Sequence, residues 1–403
     1  MKVIINKSKA SGTVTAPPSK SMAHRMLICG GLSEGVSTIH GIAPSEDVLA
    51  TLDCLSALGA DYTYDNDTVV INGTGGIIRP RDVLKCRESG STLRFFMPLC
   101  MISGIKSTLA GSETLLKRPL SVYENICAKQ GIHYTNNGNT ITLSGELHSG
   151  DYKIPGNISS QFISGLLFAL PLLSGDSTLD IVPPIESCSY INLTIQALNN
   201  FGVKVKWLDE RTLHIPGGQK YQSGEVSVEG DYSNAAFFAA LRTLGGDVNV
   251  DGLRDDSIQG DRVYTRYFEQ LVKGTPAINI SDCPDLGPIL FAVAAAKSGG
   301  VFTGTKRLKI KESDRGAAMA EELAKFGVST KVEEDTIVVY PIAFHPPAET
   351  LCGHNDHRIV MSLSVLLTLT GGTIDGAEAV KKSMPDFFEK LHSLGVDAYY
   401  ETV

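Results

Sequence analysis

A chain of 403 residues, 42% of them apolar, is long enough for two or three domains with full hydrophobic cores and has the composition of a globular protein. Its net charge of −8 supplies no global basic field for nucleic acid or an anionic membrane, so anions can be bound only by local groups of Lys and Arg. The eight cysteines contain no C-x-x-C and no tight pair, MKVIINKSKASG lacks an apolar leader core, and the longest apolar run, FISGLLFALPLL from Phe162, is too short to span a bilayer. The expectation is a cytoplasmic protein with reduced thiols.

Residues 2–16 read as an opening strand segment, after which PPSKSMAHRMLICGGLSEGVSTIHG predicts an apolar helix and a strand closing at Gly41. DVLATLDCLSALGA then predicts an amphipathic helix with a glycine C-cap, and DYTYDNDTVVING a hairpin turning at Asp-Asn. The same succession returns in ESGSTLRFFMPLCMISGIKSTLAG, SVYENICAKQGI and HYTNNGNTITLSG, with its strand closing at Gly111. SSQFISGLLFALPLLSGDSTLD opens a third unit ending at Asp180, followed by YINLTIQALNNFGV. DYSNAAFFAALRTLGGDVNVDG opens a fourth, ending at Gly252, whose second helix RYFEQLVKG has no hairpin between Gly274 and Asp282. PDLGPILFAVAAAKSGGVFTG ends a fifth strand at Gly304, and NDHRIVMSLSVLLTLTGGTIDG a sixth at Gly376.

The six closing positions are spaced 69 to 72 residues apart, except for the interval of 52 across the fourth unit. A period near 70 exceeds the roughly 20–50 residues of solenoid repeats, so six βαβαββ units in two compact halves are expected. The orphan strand at the start has no helix before it, and the last unit stops after LGVDAYYETV. The N-terminal segment is therefore expected to complete the last unit.

The polar clusters fall at helix starts. Lys20, Ser21 and Arg25 open unit one, although a cation in a first helical turn opposes the helix dipole. The placement makes sense once an anion arrives, because helix N-termini offer free N–H groups and a positive dipole end. Glu88–Arg94, Ser159–Gln161, Asp285 and Asn355–Arg358 sit at four other first helices, and Arg118, Lys311, Glu312, Arg315 and Lys382 sit in loops before second helices. Eight such cations imply more than one anionic group, with Arg suited to carboxylate and Lys to phosphate. Cys352, His354 and His357 could offer metal ligands, but they are only three and Arg358 would repel a cation, so no metal is expected.

PPSKSMAHR, ESGSTLRF, KRPL, SSQFISGLL, PDLGP, KESDR, NDHR and KKSMPDFF, in this order, resemble the successive motifs of the EPSP synthase family, the enolpyruvyl transferases named 3-phosphoshikimate 1-carboxyvinyltransferase. The resemblance runs from Lys20 to Phe388. It implies an α/β fold of two domains, each of three βαβαββ repeats in an inside-out α/β barrel: one of residues 19–228, the other of 1–18 and 229–403, with the active site in the cleft between them. It implies transfer of the enolpyruvyl group of phosphoenolpyruvate to the 5-hydroxyl of shikimate 3-phosphate in chorismate and aromatic amino acid biosynthesis. No metal or organic cofactor, no nucleic acid and no membrane are implied, and the molecule is expected to be a monomer.

By motif position, the resemblance gives shikimate 3-phosphate to Lys20, Ser21, Arg25, Ser159, Ser160, Gln161, Ser187, Tyr190, Asp285 and Lys311. It gives phosphoenolpyruvate to Lys20, Gly90, Arg118, Gln161, Arg315, Arg358 and Lys382. Asp285 is the implied base for the hydroxyl and Glu312 the implied acid toward the methylene carbon, with Lys20 sharing in proton transfer. Glu88 and Phe95 stand where many members have Asn and Pro, which predicts weaker inhibition by glyphosate, and Arg307 stands where some members have Asn. The sister family acting on UDP-N-acetylglucosamine has Lys-Asn at the Lys20–Ser21 position and a cysteine in the loop that here reads GSETLLKRP. Two competing functions of other classes are non-catalytic anion binding and RNA 3′-phosphate cyclisation on a related repeat fold. The candidate acids and bases weigh against the former, and the acidic charge without a basic stripe against the latter.

Overall fold

The computed structural model describes residues 1–341 and 344–401, so the last two residues of LGVDAYYETV lie outside them. The chain folds into two compact units, one of residues 20–229 and one of residues 1–19 with 230–403. Each has its own hydrophobic core. Among the described residues no helix is long and apolar enough to cross a membrane.

The repeat is visible in the sheets. Leu84–Arg87 pairs in parallel with Gly104–Gly111, which pairs antiparallel with Thr140–Gly145, itself paired antiparallel with His133–Asn136. Helix Gly90–Ile102 makes the crossover between the two parallel strands, and the hairpin supplies the other two. Among the described residues five four-stranded sheets are built this way, and the sixth has two strands, because the fourth unit lacks its hairpin. Among the described residues its strand Asp247–Asp251 pairs with Ser11–Thr15 alone.

Three strands are supplied from a distance. Val3–Ile5 lies between Gly372–Asp375 and Ala398–Tyr400, antiparallel to both, and so fills the hairpin place of the last unit. Ser11–Thr15 leads into helix Lys20–Leu32 but pairs with the strand that follows helix Tyr232–Thr243. Glu225–Ser227 leads into Tyr232–Thr243 but pairs with Val36–His40, which follows Lys20–Leu32. The strands before these two helices have thus exchanged units.

The two helices of a repeat differ for a physical reason. Lys20–Leu32 is buried continuously from Met22 to Leu32, and Gly287–Ala296 from Gly287 to Ala295. A helix enclosed on all faces has to be apolar all round. In the second helix of unit four, Tyr264–Lys273, the buried residues are Tyr264, Tyr267, Phe268 and Leu271, the i, i+3, i+4, i+7 stripe of a helix with one wet face. The buried helices leave their ends for polar chemistry. Ser89, Ser159, Asp231 and Asp356 each cap such an end, accepting from backbone N–H groups of the first turn.

Although no cysteines are close in sequence, Cys54 and Cys86 are neighbours in space, with sulfurs 4.0 Å apart in the core and both thiols free. Burial pushes the Cys54 thiol well above its usual range, which makes it an inert core residue.

Candidate active site

The 20–229 unit gathers its cations at helix N-termini. Arg25, one turn into Lys20–Leu32, is 3% exposed. Its guanidinium donates to neutral oxygens alone: Thr194 Oγ1 at 2.8 Å, Ser21 O at 2.6 Å, Tyr190 O at 3.1 Å and Ser164 Oγ at 3.4 Å. The rings of Phe95 and Tyr190 lie 5.2 and 6.0 Å from its carbon. No carboxylate among the described residues pairs with it, and burial depresses its pKa to about 10. A buried guanidinium held by neutral groups gains most from an arriving anion. Ser21, Arg25 and Tyr190 are therefore brought together. Ser187 begins helix Cys188–Asn200 three residues before Tyr190, buried and in a left-handed conformation (φ 56°).

Gly90 marks a second cationic cluster. A Cβ at this position would lie 3.0 Å from Arg118 Nη1 and 3.2 Å from Arg94 Nη1. Arg94 Nη1 donates to Gln161 Oε1 at 2.7 Å, and Gln161 Nε2 donates to Ser91 Oγ at 2.9 Å. Gln161 follows Ser159 and Ser160 in the capped start of helix Ser160–Ala169. Two guanidiniums and two helix N-termini thus converge on Gly90. Lys20 Nζ is held by Asp47 Oδ2 at 2.7 Å, in the first turn of helix Glu46–Ala57. A buried hydrogen-bonded chain runs from His24 Nδ1 through Thr51 and Thr92 to Ser89 Oγ, with separations of 2.7, 2.8 and 2.8 Å. It ties helices Lys20–Leu32, Glu46–Ala57 and Gly90–Ile102 into one frame.

In the 1–19/230–403 unit the acids predicted for catalysis surround one arginine. Arg315, 1% exposed, donates Nη1 to Asp285 Oδ1 (2.7 Å), Nη2 to Glu312 Oε2 (2.6 Å) and Nε to Asp356 Oδ2 (2.8 Å). Lys311 Nζ stands 3.0 Å from Asp285 Oδ1, and Arg358 Nη1 donates to Asp285 O at 3.1 Å. Lys382 Nζ donates to Asn355 O at 2.7 Å. Burial works against the Asp285 charge, but Lys311, Arg358 and Arg315 together outweigh it and hold the carboxyl well below its usual range. Burial also lowers the Lys311 pKa, opposed by Asp285. For Arg315 the cost of burial is overcome by Asp356, Glu312 and Asp285, which raise its pKa further and keep it charged.

Several participants carried no assignment from sequence. Asp356 is fully buried, caps its helix through Arg358 N at 2.9 Å and binds Arg315, yet within NDHR it reads as an ordinary cap. Asp47 reads equally as a first-turn acid suited to the dipole. Arg94 was visible inside ESGSTLR, but nothing in the spacing separated it from Arg118. Thr194 gave no signal, since a threonine one turn beyond Tyr190 looks like helix surface. Of the metal candidates, His354 Nε2 bonds the buried Glu322 at 2.9 Å, and Cys352 Sγ accepts from His354 N at 3.4 Å.

The arrangement can hold anions at several cation-lined helix starts and keep an ionised carboxylate beside a second acid. The family model described as EPSP synthase (3-phosphoshikimate 1-carboxyvinyltransferase) matches residues 4–391. The chain is 40% identical to 3-phosphoshikimate 1-carboxyvinyltransferase of Clostridium kluyveri over 419 aligned positions, covering 98% of this chain and 97% of that one. It is 40% identical to the enzyme of that name from Clostridium perfringens, covering 98% of each. A solved structure of EPSP synthase from Acinetobacter baumannii superposes with a TM-score of 0.80 at 25% identity, over 100% of this chain and 99% of that one. Whole-chain matches of this kind join the repeated sheets, the capped helix starts and the acid-bound arginine to one lineage: the chain belongs to the EPSP synthase (3-phosphoshikimate 1-carboxyvinyltransferase) family.

Proposed function

We propose that this protein transfers the enolpyruvyl group of phosphoenolpyruvate to the 5-hydroxyl of shikimate 3-phosphate, releasing phosphate. The observation that carries the reading is Asp285, a mostly buried carboxylate kept ionised by Lys311, Arg315 and Arg358, with Glu312 on the same guanidinium. The product feeds chorismate formation, and the enzyme acts as a cytoplasmic monomer. Arg25, Ser21, Ser159, Ser160, Ser187, Tyr190 and Lys311 hold shikimate 3-phosphate. Gly90, Arg118, Arg315, Arg358 and Lys382 hold phosphoenolpyruvate, Asp285 also meets the 5-hydroxyl of shikimate 3-phosphate, and Lys20 and Gln161 serve both substrates.

The chemistry follows from these groups. A proton delivered to the methylene carbon makes C2 cationic, the 5-hydroxyl oxygen bonds to C2, and its proton passes to Asp285. A carboxylate with so low a pKa is a weak base, yet it suffices, because a hydroxyl bonded to a cationic carbon is strongly acidic. The Glu312 carboxylate, left ionised after giving its proton to the methylene carbon, then takes a proton back from the methyl group, restoring the double bond as the C2–O bond to phosphate breaks, and the surrounding cations stabilise the departing charge. A phosphate-release assay with both substrates tests the reading: release dependent on both supports it, and no release with both present refutes it.

Gly90→Ala gives a sharper test of the phosphoenolpyruvate assignment. The added methyl lies within 3.2 Å of two guanidiniums and has to displace them. The expected result is a KM for phosphoenolpyruvate raised by about tenfold or more, the scale of a misplaced binding group, with the KM for shikimate 3-phosphate little changed. Equal rises in both would refute the division of the two clusters.

The glyphosate expectation divides at its two positions. Phe95 is fully buried, edge-to-face with Phe168 at 5.4 Å and beneath Arg25. Phe95→Pro would remove that ring and a helical N–H, costing about 3 kcal/mol or more. Glu88→Asn is the usable variant, and its inhibition constant for glyphosate is expected to fall below that of the native protein. An unchanged constant shows that the carboxylate does not set sensitivity.

A further inference from the structure

Glu322 lies outside every group assigned above, yet it is 0% exposed and holds three partners. Its Oε2 accepts from Cys352 N at 2.9 Å, its Oε1 meets His354 Nε2 at 2.9 Å, and Lys325 Nζ stands 3.0 Å away. Cys352 and His354 begin the segment that delivers Asp356 and Arg358 and whose Asn355 carbonyl receives Lys382. Within it His354 and Asn355 both take left-handed backbone conformations, φ 48° and 51°. Two successive non-glycine residues in that region persist only where their surroundings impose it.

The imposing element is helix Arg315–Lys325. Arg315 and Glu322 are seven residues apart, two turns, so they lie on one face about 10 Å apart along the axis. Arg315 grips Asp356 at one end of the segment, and Glu322 grips Cys352 N and His354 at the other. Gly353 between them allows close packing: a Cβ there would lie 2.6 Å from Val360 Cγ2 and 2.9 Å from Gly376 O. The charges agree with the contact from both sides. Burial opposes the Glu322 charge, but His354, Cys352 N–H and Lys325 hold the carboxyl below its usual range, and the bond to Glu322 raises the His354 pKa.

We infer that Glu322, acting through His354 and Cys352 N–H, is a positioning residue that fixes the Cys352–Asp356 turn and thereby aims Arg358 and presents the Asn355 carbonyl to Lys382. The inference rests on the reading that Arg358 and Lys382 hold phosphoenolpyruvate. It separates position from stability in one variant. His354→Gly removes the tie to Glu322 while relieving a left-handed backbone that glycine adopts freely. Its thermal midpoint is expected to stay close to the native one, because relief of the left-handed backbone offsets the lost bond to Glu322, which keeps Lys325 and Cys352 N–H. The KM for phosphoenolpyruvate, in contrast, rises about tenfold, and the KM for shikimate 3-phosphate stays near its native value. Glu322→Gln should raise the same KM, with some loss of stability.

A folded His354→Gly protein with a native KM for phosphoenolpyruvate would overturn the inference, as would equal rises in both KM values. Should the native protein show no turnover, the proposed function fails, and amide deuterium exchange still decides the clamp. Faster exchange confined to residues 354–358 of His354→Gly supports it, and native protection there overturns it.

Discussion

Glu312→Gln is expected to lower turnover by roughly two orders of magnitude or more, the usual scale for losing a general acid–base group. The substitution keeps the side-chain length and an oxygen that can accept from Arg315 Nη2, now 2.6 Å from Glu312 Oε2. It removes the only thing an acid must have, a proton it can release. Glu312 shares Arg315 with Asp285 and Asp356, so an anion bound by that guanidinium competes directly with the Glu312 carboxylate for it. Shikimate 3-phosphate affinity should change little, since Ser159, Ser160 and Lys311 would still hold it. Single-turnover kinetics check this at saturating substrate. Wild-type turnover in the variant would move the proton to another donor, with Lys20 next. Loss of shikimate 3-phosphate binding would make Glu312 structural instead.

Lys20 and Arg358 were legible in the sequence because a Lys or Arg in the first turn of an apolar helix contradicts the dipole and so asks for a reason. The acids were not equally legible. Asp47 and Asp356 stand where caps and first-turn acids belong, so their functional contacts, to Lys20 and Arg315, hide behind a sufficient local explanation. Glu322 was hidden more completely, since a glutamate late in an amphipathic helix reads as solvated surface. Its burial depends on a segment some thirty residues further on.

The same division holds for the fold. Helix type, glycine caps and hairpin turns are written within 10 to 20 residues, and the missing hairpin of unit four is visible as a deletion. The pairing of Ser11–Thr15 with Asp247–Asp251 is not. Each strand alternates in a way that fits several parallel partners, and only the closure of distant units selects one. The N-terminal segment also divides. Val3–Ile5 completes the last unit as the orphan-strand reading expects, whereas Ser11–Thr15 goes to the fourth. Cys54 and Cys86 show the same limit: 32 residues apart in sequence, their sulfurs come within 4.0 Å only through packing.

Arg315→Met is expected to be the most damaging single substitution in the 1–19/230–403 unit. It leaves Asp356, fully buried, without its cation and removes one partner each from Asp285 and Glu312. Breaking a buried ion pair by deleting one side costs about 3–5 kcal/mol, because the remaining charge stays desolvated. Methionine fills much of the guanidinium's volume, so a cavity is not the cause of the loss. The explanation can be separated from general disruption by adding Asp356→Asn. Asparagine still caps the helix through Arg358 N but carries no charge, so the double variant should regain part of the lost stability. Far-UV circular dichroism in urea measures the loss, and Trp207, the single tryptophan and a member of the 20–229 unit, reports the other unit separately. An Arg315→Met midpoint equal to the native one would mean that the three acids tolerate burial without the guanidinium. If Asp356→Asn added to the damage instead of relieving it, the uncompensated charge would not be its source, and the arginine would matter chiefly for its hydrogen bonds.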